Sequence, residues 1–312
     1  YVVGTDINLS SITNWTAIGA SAYGFGGKFD GLGHVLTGLT INEPTKDYQG
    51  LFGGTSDNAL IRNISLNNVN IIGRNRVGGL VGHNSGTIQN SSASGTVKGN
   101  EPAGGLVGGN YGTIQNSSAN VTVTAEGVDK RYQGGLVGFN SGTIQNSYAT
   151  GNLSNGRYFI GGLVGSNKGT IENSYATGIV SGNSDYIGGL VGNNNGNGGE
   201  GALDGTITNS FYDKTKALNY LNYLDFAGAT GITTEQMKHG TVYKTAGWDI
   251  VADSSLYTGA PVLKYDSVNN KYVWAIAPKT ITGNLSDKSV TYNGSLQNLS
   301  SIYTSQAIFG TD

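Results

Sequence analysis

The apolar residues of this chain recur in a repeated unit and do not follow the spacing of a helix face. The unit begins with GGLVG, which starts at Gly78, Gly104, Gly134, Gly161 and Gly188, so that copies lie 26, 30, 27 and 27 residues apart. Each copy is followed by a GTIxNS segment and then by an alternating segment such as SYATGIV (174–180). Because glycines interrupt every apolar run and no i, i+3, i+4 pattern persists, the unit predicts short β-strands.

The length of the unit indicates how these strands are arranged. Three short strands and three turns account for about 27 residues, the size of one coil of a β-solenoid. Stacked coils would place identical residues above one another at about 4.8 Å. Burial of the apolar side chains of one coil contributes roughly 8–12 kcal/mol, whereas ordering its backbone costs about 30–50 kcal/mol. One coil therefore cannot fold alone, and the sequence predicts an all-β parallel stack.

Asparagine occupies two fixed positions in the unit. The first row is Asn84, Asn110, Asn140, Asn167 and Asn194, and the second row is Asn90, Asn116, Asn146, Asn173 and Asn209. Such rows could present amides to a glycan or an ion, or they could stack as hydrogen-bonded ladders that satisfy the backbone of turns. We interpret both rows as structural ladders.

The repeats divide the chain into four segments. Residues 1–48 are expected to form an N-terminal cap and the first irregular coils, and residues 49–212 the repeat solenoid. Residues 213–276 are expected to form a C-terminal capping segment, with a short helix at TTEQMKHG followed by strands. Residues 277–312 alternate differently and read as the start of a small β-sandwich-like domain that ends before it is complete.

The amino-acid composition indicates which classes of binding partner are not expected. Only 38 of the 312 residues are charged and the net charge is −2, so nucleic acid is not an expected partner. No apolar run is long enough to span a membrane, so membrane insertion is not expected. Cysteine is absent, which suits export through an oxidising compartment. We expect the chain to be an internal segment of a longer exported protein.

The repeated unit, GGLVGxNxGTIxNSxAxGxV, resembles the GLUG repeat of large secreted bacterial surface proteins. Residues 18–42 are similar to the segment that commonly precedes such repeats, and GITTEQMK (231–238) with GAPVLKY (259–265) to the segment that closes them. KTITGNLSDKSVTYNG (279–294) resembles an MBG/YDG-type domain of filamentous-haemagglutinin-like adhesins. The resemblance implies a right-handed parallel β-helix, secreted to the surface of a Gram-negative cell by two-partner secretion.

Parallel β-helices also include enzymes that act on polysaccharides, and such enzymes need clustered carboxylates. The acidic residues of the repeats are Glu101, Glu126, Asp129, Glu172 and Asp185, and they share no repeat position. Glu200 and Asp204 fit a solvated loop better than a Ca²⁺ site, and the three histidines form no HExxH motif. The sequence therefore predicts no catalytic, cofactor-binding or metal site.

The function predicted from these observations is that of an adhesive shaft in a bacterial surface adhesin. Its expected partners are a host or neighbouring-cell surface, glycans or exopolysaccharide, and other copies of itself. One alternative is a glycan-binding module in which Tyr148 and Tyr175, at equivalent repeat positions, stack on sugars, although a ladder role for both is favoured. A second alternative is a polysaccharide-acting enzyme.

Overall fold

The computed structural model describes residues 1–291, apart from 22–23, 184–185, 195–203, 218–225, 254–255, 257–258, 278–279 and 286–287. The chain divides into two compact units, of which the first is Tyr1–Ile232 and the second begins at Thr233. The first unit is a stack of about nine turns built from parallel strands. The prediction of an all-β parallel β-helix is therefore confirmed.

Each repeat contributes strands to four parallel sheets, which we number in the order in which the repeat meets them. Sheet 1 contains Val77–Gly78, Ala103–Gly104, Arg131–Gly134, Tyr158–Gly161 and Ile187–Gly188. Sheet 2 contains Phe52–Gly54, Val81–Asn84, Val107–Asn110, Val137–Asn140, Val164–Asn167 and Val191–Asn193. Sheet 3 contains Lys28–Asp30, Leu60–Arg62, Thr87–Gln89, Thr113–Gln115, Thr143–Gln145, Thr170–Glu172 and Thr206–Thr208. Sheet 4 contains Ile7–Asn8, Val35–Thr37, Thr40–Glu43, Ser65–Gly73, Ser92–Gly99, Ser118–Ala125, Tyr148–Ala149, Leu153–Gly156, Tyr175–Ala176, Val180–Gly182, Ser210–Asp213 and Ala229–Ile232.

The coils stack in register, so that equivalent residues of the repeat lie over one another. Ile88 pairs with Ile114 and Ile61, and the same row continues through the coils that follow. The leucine of each GGLVG is 0–1% exposed, as are the valine after it and the isoleucine of the first four GTI segments. The apolar residues of the repeat therefore form one continuous core along the stack.

A coil contains four strands where the sequence suggested three, because GGLVG bends in its middle. Its first residues end a strand of sheet 1 and its last residues begin a strand of sheet 2. The backbone is so close at this corner that a Cβ on Gly104 would lie 2.1 Å from the carbonyl oxygen of Val107. Glycine is required there because no side chain fits.

The first unit extends beyond the clear repeats at both ends. Strands within residues 1–48 pair in parallel with the next coil, for example Val35–Thr37 with the start of Ser65–Gly73. At the other end, Ala229–Ile232 pairs in register with Ser210–Asp213, after the short α-helix Lys214–Ala217. The unit therefore ends twenty residues later than the boundary at 212 expected from the repeats, because its last strand carries no repeat motif.

The second unit contains a 3₁₀ turn at Gln236–Lys238 and an α-helix at Gly240–Thr245. Its three-stranded sheet has the order Ile250–Ala252, Lys271–Ile276 and Val262–Asp266. Thr280–Leu285 and Lys288–Thr291 form an antiparallel pair, and the rest of the expected β-sandwich-like domain lies outside the described residues. Within the described part of the chain, no helix is long and apolar enough to cross a membrane.

Candidate functional site

The first row of asparagines forms an unbroken chain of side-chain hydrogen bonds inside the solenoid. The Thr55 hydroxyl donates to the Oδ1 of Asn84 at 2.9 Å and begins the chain. From Asn84 onward, each Nδ2 donates to the Oδ1 of the asparagine in the next coil, at 2.8, 2.8, 2.7 and 2.8 Å. Four of the five side chains are 0% exposed and Asn194 is 7% exposed. These amides satisfy one another and do not face solvent, where a glycan or an ion would bind.

The second row lies at the corner between sheets 3 and 4. Its five residues, Asn90, Asn116, Asn146, Asn173 and Asn209, have φ values of 51°, 49°, 47°, 47° and 46°. Side-chain hydrogen bonds of 3.0–3.2 Å, donated by the asparagine Nδ2, join Asn116 to Asn90, Asn90 to Asn63 and Asn63 to Asp30. The backbone N–H groups of the first four donate to the next coil at 3.1–3.2 Å. Asparagine suits this position because it tolerates a left-handed backbone.

A third ladder, of serines, was not identified from the sequence. Each hydroxyl donates to the carbonyl two residues earlier at 2.7–2.8 Å and accepts a backbone N–H from the preceding coil. Its members are Ser91, Ser117, Ser147, Ser174 and Ser210, all at most 3% exposed. The sequence feature that could have predicted this ladder is the serine that follows the second-row asparagine in every GTIxNS segment.

Tyr148 and Tyr175 stack on each other in sheet 4. Their rings are nearly parallel, at 7°, with centroids 5.0 Å apart. Tyr175 is 1% exposed and lies between Tyr148 and Phe211 in the register of the sheet. Burial also raises the pKa of the Tyr148 hydroxyl. The ring of Tyr175 is therefore covered by the next coil and is not available to stack on a sugar.

A different set of rings lies on the outer surface, where sheets 1 and 2 meet. We call it the aromatic stripe, and it consists of Tyr48, His83, Tyr111, Tyr132, Phe139, Phe159 and Tyr186. Successive rings are in contact, with centroid distances between 4.7 Å for His83–Tyr111 and 6.1 Å for Tyr48–His83. Tyr111 and Tyr186 are each 45% exposed, and the others are half-buried or buried. The stripe runs along the stack from the coil of Tyr48 to that of Tyr186.

The stripe draws on three different positions of the repeat. The first position lies one residue before the residues that pair with one another in sheet 1, and it is occupied by Tyr48, Tyr132, Phe159 and Tyr186. The second position lies within sheet 2, where His83 and Phe139 point outward. Tyr111 follows the ladder residue Asn110, and its ring lies 3.5 Å from where a Cβ on Gly109 would be. The sequence does not connect these three positions, because their side chains come into contact only when the coils stack.

Three residues of the stripe have a backbone conformation that is costly for a bulky side chain. The φ angles of Tyr48, Tyr132 and Phe159 are 59°, 55° and 57°. A left-handed backbone costs a residue with a Cβ about 1–2 kcal/mol. An aromatic contact returns about 0.5–1.5 kcal/mol, and partial burial of a ring returns roughly 1 kcal/mol. These gains offset the cost, but the backbone at these positions does not itself favour a ring.

Charged groups of both signs border the stripe. The guanidinium of Arg76 lies 5.3 Å from the centre of the Tyr48 ring, and that of Arg131 lies 5.4 Å from the centre of the Tyr158 ring. Glu101 precedes Pro102 at the same edge, and burial raises the pKa of its carboxyl group. The border therefore offers hydrogen-bond donors and acceptors beside the rings, without forming a uniformly basic groove.

His83 is 8% exposed within the stripe, and its environment gives the fold a pH dependence. Burial, followed by the positive charge of Arg76, lowers the pKa of His83 from 6.5 to about 4. Between these two pH values the unfolded chain binds a proton that the folded chain does not bind. We expect the free energy of unfolding to fall as the pH is lowered through this window, by up to about 3 kcal/mol.

Urea denaturation between pH 7 and pH 4 measures this effect. The control is His83→Phe, because Phe139 occupies the equivalent position of the next coil but one. The variant should lose the part of the pH dependence that begins near the ordinary histidine pKa of about 6.5. An identical pH profile for the two proteins would contradict the assignment to His83.

The histidine, aspartate and glutamate side chains of the described residues are dispersed. Within the described part of the chain, no group of three or more histidine, aspartate or glutamate side chains lies close enough to hold a metal ion. Glu200 lies outside the described residues, whereas Asp204 is described and exposed.

Comparison with known proteins identifies the repeat. Four segments match the GLUG motif, namely residues 73–98, 99–124, 132–154 and 156–181. They follow one another through the regular part of the stack and cover about a third of the chain. The copy that begins at Gly188 is not among them, and residues 195–203 separate its GGLVG from its GTITNS. The resemblance to GLUG repeats is confirmed, while those to the filamentous-haemagglutinin-like and MBG/YDG-type proteins stay predictions.

Two relatives carry related sequence. Halomucin of Haloquadratum walsbyi is 35% identical over 107 residues, which are 32% of this chain and 1% of halomucin. A putative Gly-rich membrane protein of Evansella cellulosilytica is 41% identical over 81 residues, which are 25% of this chain and 9% of that protein. The chain thus spans a small part of the length of both relatives. No solved structure matches it.

Proposed function

We propose that this chain is a rigid, non-catalytic, adhesive shaft segment of a cell-surface protein. The observation that carries the proposal is the in-register stack of about nine turns, in which one apolar core and three polar ladders run from coil to coil. Each coil is held by its neighbours through side-chain as well as backbone bonds, so bending the stack would break several ladders together. The names of the two relatives, a halomucin and a putative membrane protein, support a place at the cell surface.

Stiffness, more than length, is what this architecture supplies. About nine turns at roughly 4.8 Å each span about 43 Å. A flexible linker with as many residues as the first unit has a root-mean-square end-to-end distance of about 80 Å. A solenoid is therefore short for its number of residues. What it provides is a fixed direction and a regular lateral surface.

We also propose a more specific assignment, in which the shaft belongs to a filamentous-haemagglutinin-like adhesin of a Gram-negative cell. Secretion would then depend on a partner transporter, and attachment would take place in a biofilm or on a host surface. The resemblance of the flanking segments supports this form. Export that is unaffected by deletion of the transporter gene nearest to the gene for this chain would contradict it.

Attachment by purified protein tests the proposed function. Beads coated with the chain, and beads coated with an unrelated protein of similar net charge, are washed over bacterial cells, epithelial cells and an exopolysaccharide film. We expect the chain to retain beads on at least one of these surfaces, and to release no reducing sugar ends from the film.

Two results would contradict the proposal. Retention equal to that of the control beads on every surface would exclude an adhesive shaft. Release of reducing ends above the blank would indicate a polysaccharide-acting enzyme instead. Self-association is measured in the same preparation by sedimentation, so that clumping of beads is not taken for attachment.

A further inference from the structure

We propose that the aromatic stripe is a binding site for a linear polysaccharide that lies along the side of the solenoid. The proposal rests on the adhesive function proposed above and specifies the class of partner. The stripe is a row of seven rings in contact on the outer surface of the fold, whereas Tyr175 of the sheet 4 pair is covered.

The backbone at the stripe is the first observation that points to a ligand. Tyr48, Tyr132 and Phe159 keep a left-handed φ, which asparagine or glycine would adopt with less strain. The second asparagine row shows that this chain does place asparagine where a corner needs that conformation. Bulky rings held in a strained backbone, where asparagine or glycine would fit with less strain, are typical of binding sites.

The shape of the stripe is the second observation. Its rows repeat once per coil, at about 4.8 Å, and five coil steps from Tyr48 to Tyr186 give a length of about 24 Å. A long, narrow row of rings suits an extended polymer better than a globular partner, which would need a broad patch. Pyranose rings have apolar C–H faces, which pack on the electron-rich faces of aromatic rings. One sugar could therefore lie over each one or two coils.

Polar groups along the stripe supply the third observation. Ser85 and Ser141 occupy the same repeat position as Tyr111, in the coils on either side of it, and Ser141 is exposed. Glu101 and Arg131 border the opposite edge, next to Tyr132. Hydroxyl, carboxylate and guanidinium groups beside rings match the many hydroxyl groups of a sugar. Single-stranded nucleic acid also stacks on rows of aromatic rings, but such sites lie in a basic groove, and Glu101 interrupts the positive charge here.

The test uses substitutions that should not harm the fold. In the double variant Tyr132→Asn, Phe159→Asn, each ring is replaced by asparagine, the residue that occupies most of the other left-handed, non-glycine positions of the described chain. We expect its thermal midpoint to equal or exceed that of the unchanged chain. Tyr111→Ser is a second variant, because serine is the native residue at this position in both neighbouring coils.

Binding is measured by affinity electrophoresis and by calorimetry, on the full chain, with a neutral β-linked glucan and with a uronate-containing polysaccharide. We expect the unchanged chain to bind at least one of the two polymers. The double variant should bind that polymer at least tenfold more weakly, and Tyr111→Ser should weaken binding in the same direction. The matched control is Tyr148→Ser, an aromatic-to-serine change in sheet 4 that should leave affinity unchanged.

Several results would overturn the proposal. The proposal would be wrong if the unchanged chain bound neither polymer, or if the double variant bound the polymer as tightly as the unchanged chain. It would also be wrong if Tyr148→Ser lost as much affinity as the double variant, or if the unchanged chain bound single-stranded oligothymidine more tightly than either polymer. A lower thermal midpoint in the double variant would show that the rings serve the fold. Beads that carry the double variant keep the two proposals separate, because undiminished attachment would remove the stripe as the site and leave the adhesive shaft standing.

Discussion

Replacing Gly142 by alanine is expected to lower the free energy of unfolding by at least about 3 kcal/mol. A Cβ on Gly142 would lie 2.0 Å from the carbonyl oxygen of Gly112 in the preceding coil. That oxygen accepts the N–H of Thr143 at 2.9 Å, so it cannot move away without loss of a bond between coils. Since Gly112 and Gly169 have contacts of the same kind at 2.0 Å, a shift in one coil is passed to the next.

Urea denaturation followed by circular dichroism measures this loss. The matched control is Gly4→Ala, because an added Cβ on Gly4 has nothing within 4 Å and this glycine is exposed. The control should change the free energy of unfolding by less than about 0.5 kcal/mol. If Gly142→Ala were as stable as the control, the close stacking of the coils at this corner would be disproved.

Replacing Asn140 by alanine is expected to cost about 2–4 kcal/mol, because it interrupts the buried amide ladder at its centre. The Nδ2 of Asn110 loses an acceptor at 2.8 Å and the Oδ1 of Asn167 loses a donor at 2.7 Å. The carbonyl of Gly142 also loses the amide that donates to it at 3.2 Å. The side chains of Asn110 and Asn167 are buried, where a lost hydrogen bond cannot be replaced by bulk water.

Hydrogen exchange locates this effect as well as measuring it. Protection should fall most for the amide protons of the coils on either side of Asn140, and less toward the ends of the stack. Asn120→Ala is the control, because Asn120 is an exposed strand residue of sheet 4. A similar loss of stability in both variants would mean that the ladder contributes nothing beyond the presence of an asparagine side chain.

The repeat made most of the fold predictable. A period of about 27 residues with alternating apolar positions is sufficient to predict the strands, the core rows and the parallel stack, because equivalent residues must lie over one another. The fourth strand of each coil was missed because the bend inside GGLVG depends on close backbone contacts between coils. The strand Ala229–Ile232 was not identified from the sequence, because it pairs through backbone register alone, without a motif.

The candidate site was less predictable than the fold. Tyr148 and Tyr175 were selected because they share a repeat position, yet that same stacking buries Tyr175 between neighbouring coils. The aromatic stripe shares no single position, since Tyr111, Tyr132 and Phe139 come from three different places in the repeat. Their contacts arise from the curvature of the coil between sheets 1 and 2, which a linear pattern does not contain.

The buried amide ladder also has a direction. Every bond in it is donated toward the carboxyl-terminal coil, from Asn84 to Asn110 and onward to Asn194. A stack that grows from its amino end therefore always presents an amide donor that the next coil satisfies as it docks. Loss of a docked coil removes the acceptor of the last amide, so each coil contributes one side-chain hydrogen bond to the coil before it. The ladder therefore has a polarity: its amide hydrogens point toward the carboxyl-terminal end of the stack and its amide oxygens toward the amino-terminal end.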